Sequence, residues 1–564
     1  MRIPTSRLSF LMATAMLSVV CGGSAFADDT EARINALARQ MRAQQAELEH
    51  LKRDLAERSE QMRALQARLQ QQTAAPPPAT RIAPAMPQIP AGYALVPAGP
   101  GSTPGSVVLA RAEAPKEKAL PKGSFDVGAI NVQLGGFFEA AGFYRSRNEV
   151  TDLASSFTSG IPERNSPLYH MPESGFSSRQ TRVQATATAN PDDVTTVTGA
   201  LVMDFLGAAP TANYNESNSW TPRLREAWID YARKDYGFYV LGGQTWTLLT
   251  ANSQGVDPQK IDLPLQIDPQ YVVGLNWGRQ AQFRIAKNLG SDQYWLALSI
   301  ENPATIVSGT SPTLTGKTIN QTNAGIGVDA TGNTFTNNFV PDIIVKATAD
   351  YDIAHVEAYG LGRAFNDRVS ELGSGKNNLV YGGGFGGDAM IHLVPKLLDF
   401  HVSGLFGDGV GRYGTSQLPD ASYNAAGKPV ALPGYSGYAG LIAHPDKVND
   451  IYAYFGVEHV SARYDLGFVK GKATTLAGYG SPLINNISCG TEDATEPAAC
   501  SPTTSGDAEI TIGNWWKFLQ GPYGRMQVGA QYSYVRRYVF QGIGPTPKTD
   551  ENMFFLSFRW YPFT

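Results

Sequence analysis

After its first twenty residues the chain has no run approaching the roughly 18 uncharged apolar residues that a membrane-crossing helix requires, which excludes a membrane protein built from helices. Charge is also scarce. Asp, Glu, Lys and Arg make up 17% of the 564 residues, against roughly 25% in soluble domains. A long closed sheet tolerates this shortage, because half of each strand faces lipid. There is no basic excess of the kind that marks nucleic-acid binding. Of 46 Lys and Arg, Arg2 and Arg7 fall in the leader described below, leaving 44 against 50 Asp and Glu, a net charge of −6. Cysteine is limited to three residues. The chain has no His-Glu-x-x-His, Cys-x-x-Cys or phosphate-loop motif, which argues against an enzyme.

The residues that are present divide the chain into four. Arg2 and Arg7, an apolar run from Leu8 to Val20, and Ala25-Phe26-Ala27 before Asp28 form a secretory signal peptide over 1–27. Lipidation at Cys21 is the alternative, for which Ser18-Val19-Val20 is a poor context. Residues 28–72 carry a heptad seam. Its a positions are Ile34, Met41, Leu48, Leu55, Met62 and Leu69; its d positions are Leu37, Gln44, Leu51, Arg58, Leu65 and Gln72. Nine of these twelve are apolar, with no Gly or Pro, which predicts a coiled coil rather than a lone helix packed on a domain. Residues 73–122 hold eleven prolines without periodicity and read as an extended Pro/Ala-rich spacer.

From 123 to 564 the period becomes two. Val132, Leu134, Phe138 and Tyr144 alternate with Asn131, Gln133, Glu139 and Arg145, and Val183, Ala185 and Ala187 alternate with Arg182, Gln184 and Thr186. Phe554, Leu556, Phe558 and Trp560 alternate with Ser557 and Arg559. Strands of ten or more residues with one apolar and one polar face predict an all-β transmembrane barrel. A soluble sandwich alternates too, but its strands are about half as long. Short turns at 190–193, 233–237, 287–292, 349–352, 394–399, 444–450 and 519–524 alternate with long connections near 147–176, 207–221, 246–275, 303–340, 366–378, 409–433, 462–507 and 540–550. Seven turns and eight loops give sixteen antiparallel strands, uncertain by two where 434–444 and 451–461 alternate weakly. The coiled coil precedes the first strand, so it and the short turns belong in the periplasm.

Sixteen strands leave a water-filled lumen. The third long connection, 246–275, holds Asp257, Lys260, Asp262 and Asp268 together with Leu263, Leu265 and Ile267. This mixture fits a constriction folded into the lumen or an outer loop packed on its neighbours. Inward parity puts Arg182, Arg284, Lys346, Arg363, Arg525, Arg537 and Arg559 on the lumen wall, with Arg182, Lys346 and Arg363 nearest mid-height. Basic rings select anions; alternatively these residues pair with Glu139, Glu357 and other lumen acids. The mixed charges from Arg223 to Tyr231 assign to neither face. Gly382 to Gly387 fits G-x-G-x-x-G but sits inside a strand, where small residues mark close packing. Cys489 and Cys500, in one polar segment of an exported chain, are expected to form a local disulfide.

The order of leader, coiled coil, Pro-rich linker and barrel resembles the DcaP-like outer-membrane porins. Gly243-Gln244-Thr245-Trp246-Thr247 and Gln531-Tyr532-Ser533-Tyr534-Val535-Arg536-Arg537 are similar to recurring segments of that family. The resemblance implies a homotrimer, surrounded by outer-membrane lipid and lipopolysaccharide, that takes up small anionic solutes such as dicarboxylates. It implies no cofactor. The ending departs from the usual barrel pattern, since Pro562 and Thr564 flank Phe563. A structural or adhesive barrel is the second reading, with Arg39, Arg42, Glu47 and Lys52 of the rod placed to touch peptidoglycan.

Overall fold

The computed structural model describes residues 93–97, 107–111 and 123–563, apart from 159, 208–220, 291, 321–337 and 493–499. The expected signal peptide and coiled coil and most of the expected linker lie outside these residues. Within the linker, Tyr93–Pro97 pairs antiparallel with Val107–Arg111, so the spacer is not extended throughout.

The remainder closes into a sixteen-stranded antiparallel barrel. In chain order its first eight strands are β1 (Ile130–Arg145), β2 (Arg182–Ala189), β3 (Thr195–Asp204), β4 (Arg223–Arg233), β5 (Phe238–Trp246), β6 (Arg279–Asn288), β7 (Tyr294–Glu301) and β8 (Asp342–Tyr351). The second eight are β9 (Ala354–Glu371), β10 (Ser374–Val394), β11 (Leu398–Asp408), β12 (Pro433–Ala443), β13 (Asn449–Val460), β14 (Thr504–Gly521), β15 (Gly524–Val539) and β16 (Thr549–Tyr561). Closure comes from β16 pairing β1, from Met553 against Arg145 to Trp560 against Phe138. The short turns fall where the sequence places them, and β12 and β13 are both strands. Their alternation is weak because Tyr438, Tyr452 and Tyr454 point inward and are buried, so aromatic residues occupy both faces.

One expected connection is absent. Over 366–378 the chain stays paired, and β9 and β10 meet at Glu371 and Ser374 across the turn Leu372-Gly373. Asn378 donates to Asp367 at 2.8 Å and Arg368 to Asn377 at 2.7 Å. These polar cross-strand pairs read as a loop in sequence because this part of the ribbon presents polar side chains on the wall.

Burial is inverted relative to a soluble protein. Phe138, Val183, Ile229, Phe283, Val345, Phe385, Leu441, Phe455, Ile510 and Leu556 are exposed on the outer face, whereas Ser299, Lys346, Asp342, Thr511 and Glu551 are buried. An apolar outside is stable only against lipid. Tyr236, Tyr351, Trp516, Tyr523 and Trp560 stand exposed near the short-turn rim, and Tyr144, Phe176, Tyr381 and Tyr538 near the other. Such aromatic girdles mark the two bilayer interfaces.

Cys489 and Cys500 are bonded to each other in the connection from β13 to β14. Replacing both by Ser is expected to cost about 3 kcal/mol through the freed unfolded chain while leaving conductance intact. Alkylation of the wild-type thiols without prior reduction, read by mass spectrometry, would contradict the bond.

Candidate functional site

The third long loop, 247–278, runs inside the barrel. Its residues Ile267, Val272, Val273 and Leu275 are fully buried, packed with wall residues Tyr438, Tyr452, Tyr454, Trp515 and Phe555. Burying each such aliphatic side chain is worth about 1.5–3 kcal/mol. A loop in a lumen must also satisfy its backbone, and wall carboxylates do this. Leu248 N donates to Glu301 at 2.8 Å, Asn252 N to Glu357 at 2.9 Å, and Gly255 N to Asp350 at 3.0 Å. On the far wall, Val273 N donates to Glu509 and Gly274 N to Glu458, both at 2.8 Å. Ile267 N donates to Gln531 at 2.6 Å, and Trp515 Nε1 to the Leu265 carbonyl at 2.7 Å. Charge-assisted bonds of this kind are about twice as strong as neutral ones. The loop therefore bridges the lumen from β7–β9 to β13–β15. Gly274 has φ +93°, and a Cβ there would meet the Gly437 carbonyl at 2.1 Å, so only glycine lets the loop lie on the wall.

Glu509 is the clearest single anchor, since it also accepts from Gln266 Nε2 at 3.1 Å. Glu509→Ala is expected to strand two donors, at about 1–3 kcal/mol each. The loop should then loosen, giving a larger and noisier single-channel conductance. A quiet channel of unchanged conductance would count against the anchoring role.

The four polar residues predicted on this loop separate. Asp257 and Lys260 are exposed, Asp262 meets His401 Nδ1 at 2.8 Å, and Asp268 is buried, accepting from Ser155 N and Gln270 N at 3.3 and 2.9 Å. Burial raises the Asp268 carboxyl above its usual range, against the pull of Arg145.

The seven predicted basic residues lie on the inner face, but three do not line open space. Lys346 is fully buried and ion-paired with Glu357, and it donates to the Thr250 carbonyl at 2.9 Å. Arg363 is buried between Asp342 at 3.3 Å and Asp420 at 2.6 Å. Arg537 is held by Glu163 at 3.4 Å and the Ile161 carbonyl at 2.9 Å. Loops folded inward cover all three, so the expected mid-height potential from Lys346 and Arg363 is cancelled by their partners. Arg284 is buried and donates to Gln282 and to the Trp246 carbonyl. Arg559 pairs with Glu139 at 2.9 Å. The side chains of Arg182 and Arg525 make no ion pair or hydrogen bond with any described residue. Both stack on rings, Arg182 on Phe137 at 5.2 Å and Arg525 on Tyr561 at 4.3 Å. Together with Lys517 and Arg559 they line a cavity of about 400 Å³ between the loop and the wall.

The sequence left further basic residues unassigned. Arg225 is buried and bonded to Asp204 at 2.6 Å. Arg279 has no described ion pair and lies over Trp246 and Trp277 at 4.9 and 5.2 Å. A register shift between Val202 and Met203, opposite Arg225, reverses the parity of β4. Arg223 and Arg225 consequently share the inner face with Trp228 and Asp230. Tyr271 of the loop lies among these cations at φ +69°, a conformation that costs a non-glycine residue roughly 1–3 kcal/mol. Although burial opposes it, the guanidiniums of Arg225, Arg182 and Arg279 hold the Tyr271 phenol below its ordinary value.

The outer-membrane channel DcaP of Acinetobacter baumannii has a similar structure, with a TM-score of 0.51 and 17% identity over 78% of this chain and all of that one. The fold is that of an outer-membrane channel. An anion-selective porin from Comamonas acidovorans aligns at 10% identity and a TM-score of 0.39, over 77% of this chain and 99% of that one. Salmonella typhi OmpF in complex with daunomycin aligns at 9% and 0.41, over 78% and 100%. No protein-family model matches the chain, and no curated protein matches it.

Proposed function

We propose that the protein is a porin of the bacterial outer membrane, through which small solutes diffuse with a preference for anions such as dicarboxylates. The observation that carries the preference is the set of cations without acidic partners, Arg182, Arg279 and Arg525, beside a loop that narrows the lumen. Two guanidiniums at fixed separation suit a solute with two carboxylates, each accepting a forked pair of hydrogen bonds. The proposed assembly is a homotrimer in lipid and lipopolysaccharide, with the rod of 28–72 directed into the periplasm. A shallow outer surface of Ala185, Ala187, Gly199, Ala227 and Gly242 on β2–β5 would let copies approach closely. Purified protein in planar bilayers tests the reading: discrete channels with a zero-current potential on the chloride side of a KCl gradient are expected. Absence of channels would favour the adhesive reading, and a potassium-selective channel would overturn the anion preference.

A further inference from the structure

A second cavity, of about 360 Å³, lies between loop residues 254–259 and strands β3–β7, near the short-turn rim. Its chemistry differs from that of the arginine-lined space. Asp230 on β4 and Arg284 on β6 are both cross-strand neighbours of Leu241 on β5. They therefore stand at one level with backbones about 10 Å apart, twice the interstrand spacing. Asp257, Asp292 and Lys234 line the same cavity, and no nitrogen–oxygen pair between Asp230 and Arg284 comes within 4.0 Å. The Asp230 side chain makes no hydrogen bond or ion pair with any described residue. Arg284 is 3% exposed. Its Nε and Nη2 are engaged by Gln282 and the Trp246 carbonyl, whereas Nη1 has no partner among the described residues.

Opposite charges held apart over an apolar floor leave room for a ligand that carries both complementary charges. The wall beside the gap is aromatic: Tyr239 and Trp295 pack at 5.2 Å. Trp295 is fixed by donating to the Asp292 carbonyl at 3.2 Å. It lies under Gly255, where a Cβ would come within 3.0 Å of the indole nitrogen. We infer that this cavity is a binding site for a zwitterionic amino acid with an apolar or aromatic side chain. Arg284 Nη1 donates to the carboxylate, Asp230 and Asp257 accept from the ammonium, and the side chain lies against Leu241, Tyr239 and Trp295. A simple anion is disfavoured there because three aspartates, Asp230, Asp257 and Asp292, outnumber Arg284 and Lys234, and a simple amine leaves the Arg284 nitrogen without a partner.

The site does not depend on the conductance reading, so it is tested by equilibrium binding to the full chain in detergent micelles. Ligand-observed NMR titrations would compare phenylalanine, 3-phenylpropionate and phenethylamine. Phenylalanine is expected to bind roughly tenfold more tightly than either single-charge analogue, the usual worth of one charged hydrogen bond. Asp230→Asn should weaken phenylalanine by a similar factor and strengthen, not weaken, 3-phenylpropionate. Asp257→Asn, at an exposed position of the inward loop, should weaken phenylalanine less but in the same sense. Equal binding of all three compounds, tightest binding of either analogue, or phenylalanine affinity unaltered in both variants would overturn the assignment.

Discussion

Changing Arg182, Arg279 and Arg525 together to Gln is expected to move the zero-current potential in a KCl gradient to the cation side. The chloride-to-potassium permeability ratio should fall several-fold. These guanidiniums stand beside the loop without acidic partners, in a lumen whose low-dielectric walls concentrate their field. Most of the remaining inner cations are screened by acids in contact: Lys346 by Glu357, Arg363 by Asp342 and Asp420, and Arg559 by Glu139; Arg284 has no acid in contact but is buried against Gln282 and the Trp246 carbonyl. The potential is thus set by a few exceptions to pairing. A triple variant whose reversal potential matches wild type would show that selectivity arises elsewhere. Each single change should move the potential part of the way, with Arg279 acting nearest the long-loop end of the barrel, where its cavity is shared with Arg412 and Gln417.

The largest effect on stability is expected at Lys346. Both ends of its pair with Glu357 are fully buried, and Glu357 also takes His355 Nε2 and Asn252 N, each at 2.9 Å. Lys346→Met leaves a buried carboxylate without its cation and should cost about 3–5 kcal/mol. The double variant Lys346→Met/Glu357→Leu removes both charges, so it should recover much of that loss. Some deficit remains, since Asn252 N and His355 lose their acceptor. Unfolding by urea in lipid vesicles measures each variant. If the single and double variants were equally unstable, the charge account would fail and side-chain packing would be the cause. The double variant changes no net charge and should leave ion selectivity unaltered, which separates it from the arginine set.

Much of this barrel is readable from residue order because lipid enforces a strict rule. Every second residue of a spanning strand must be apolar, so β1, β2 and β16 declare themselves, and the short turns follow from where alternation stops. The rule weakens where the inner face meets protein instead of water. On β13, Tyr452 and Tyr454 point inward because the third loop packs on them, and the strand looks apolar on both sides. It also weakens on β4, where one extra residue at the register shift reverses parity and hides Arg223 and Arg225. Parity shows which wall a side chain faces but not what lies over it. The inner positions of Lys346, Arg363 and Arg537 were legible; their covers, from residues far away in the chain, were not. The mixed character of 246–275 was visible, but its destination depends on Glu301, Glu357, Glu458 and Glu509 acting together. Nothing in the spacing of those glutamates marks them as a set.

The inward loop has a kinetic consequence. With its backbone tied to opposite walls, the loop bridges the lumen, so a solute passing as proposed runs beside one wall or the other. A molecule sliding along a wall is never far from a charge or an aromatic ring, so residence time, not bore, governs its rate. Flux through such a passage saturates as concentration rises, whereas flux through an open pipe grows in proportion.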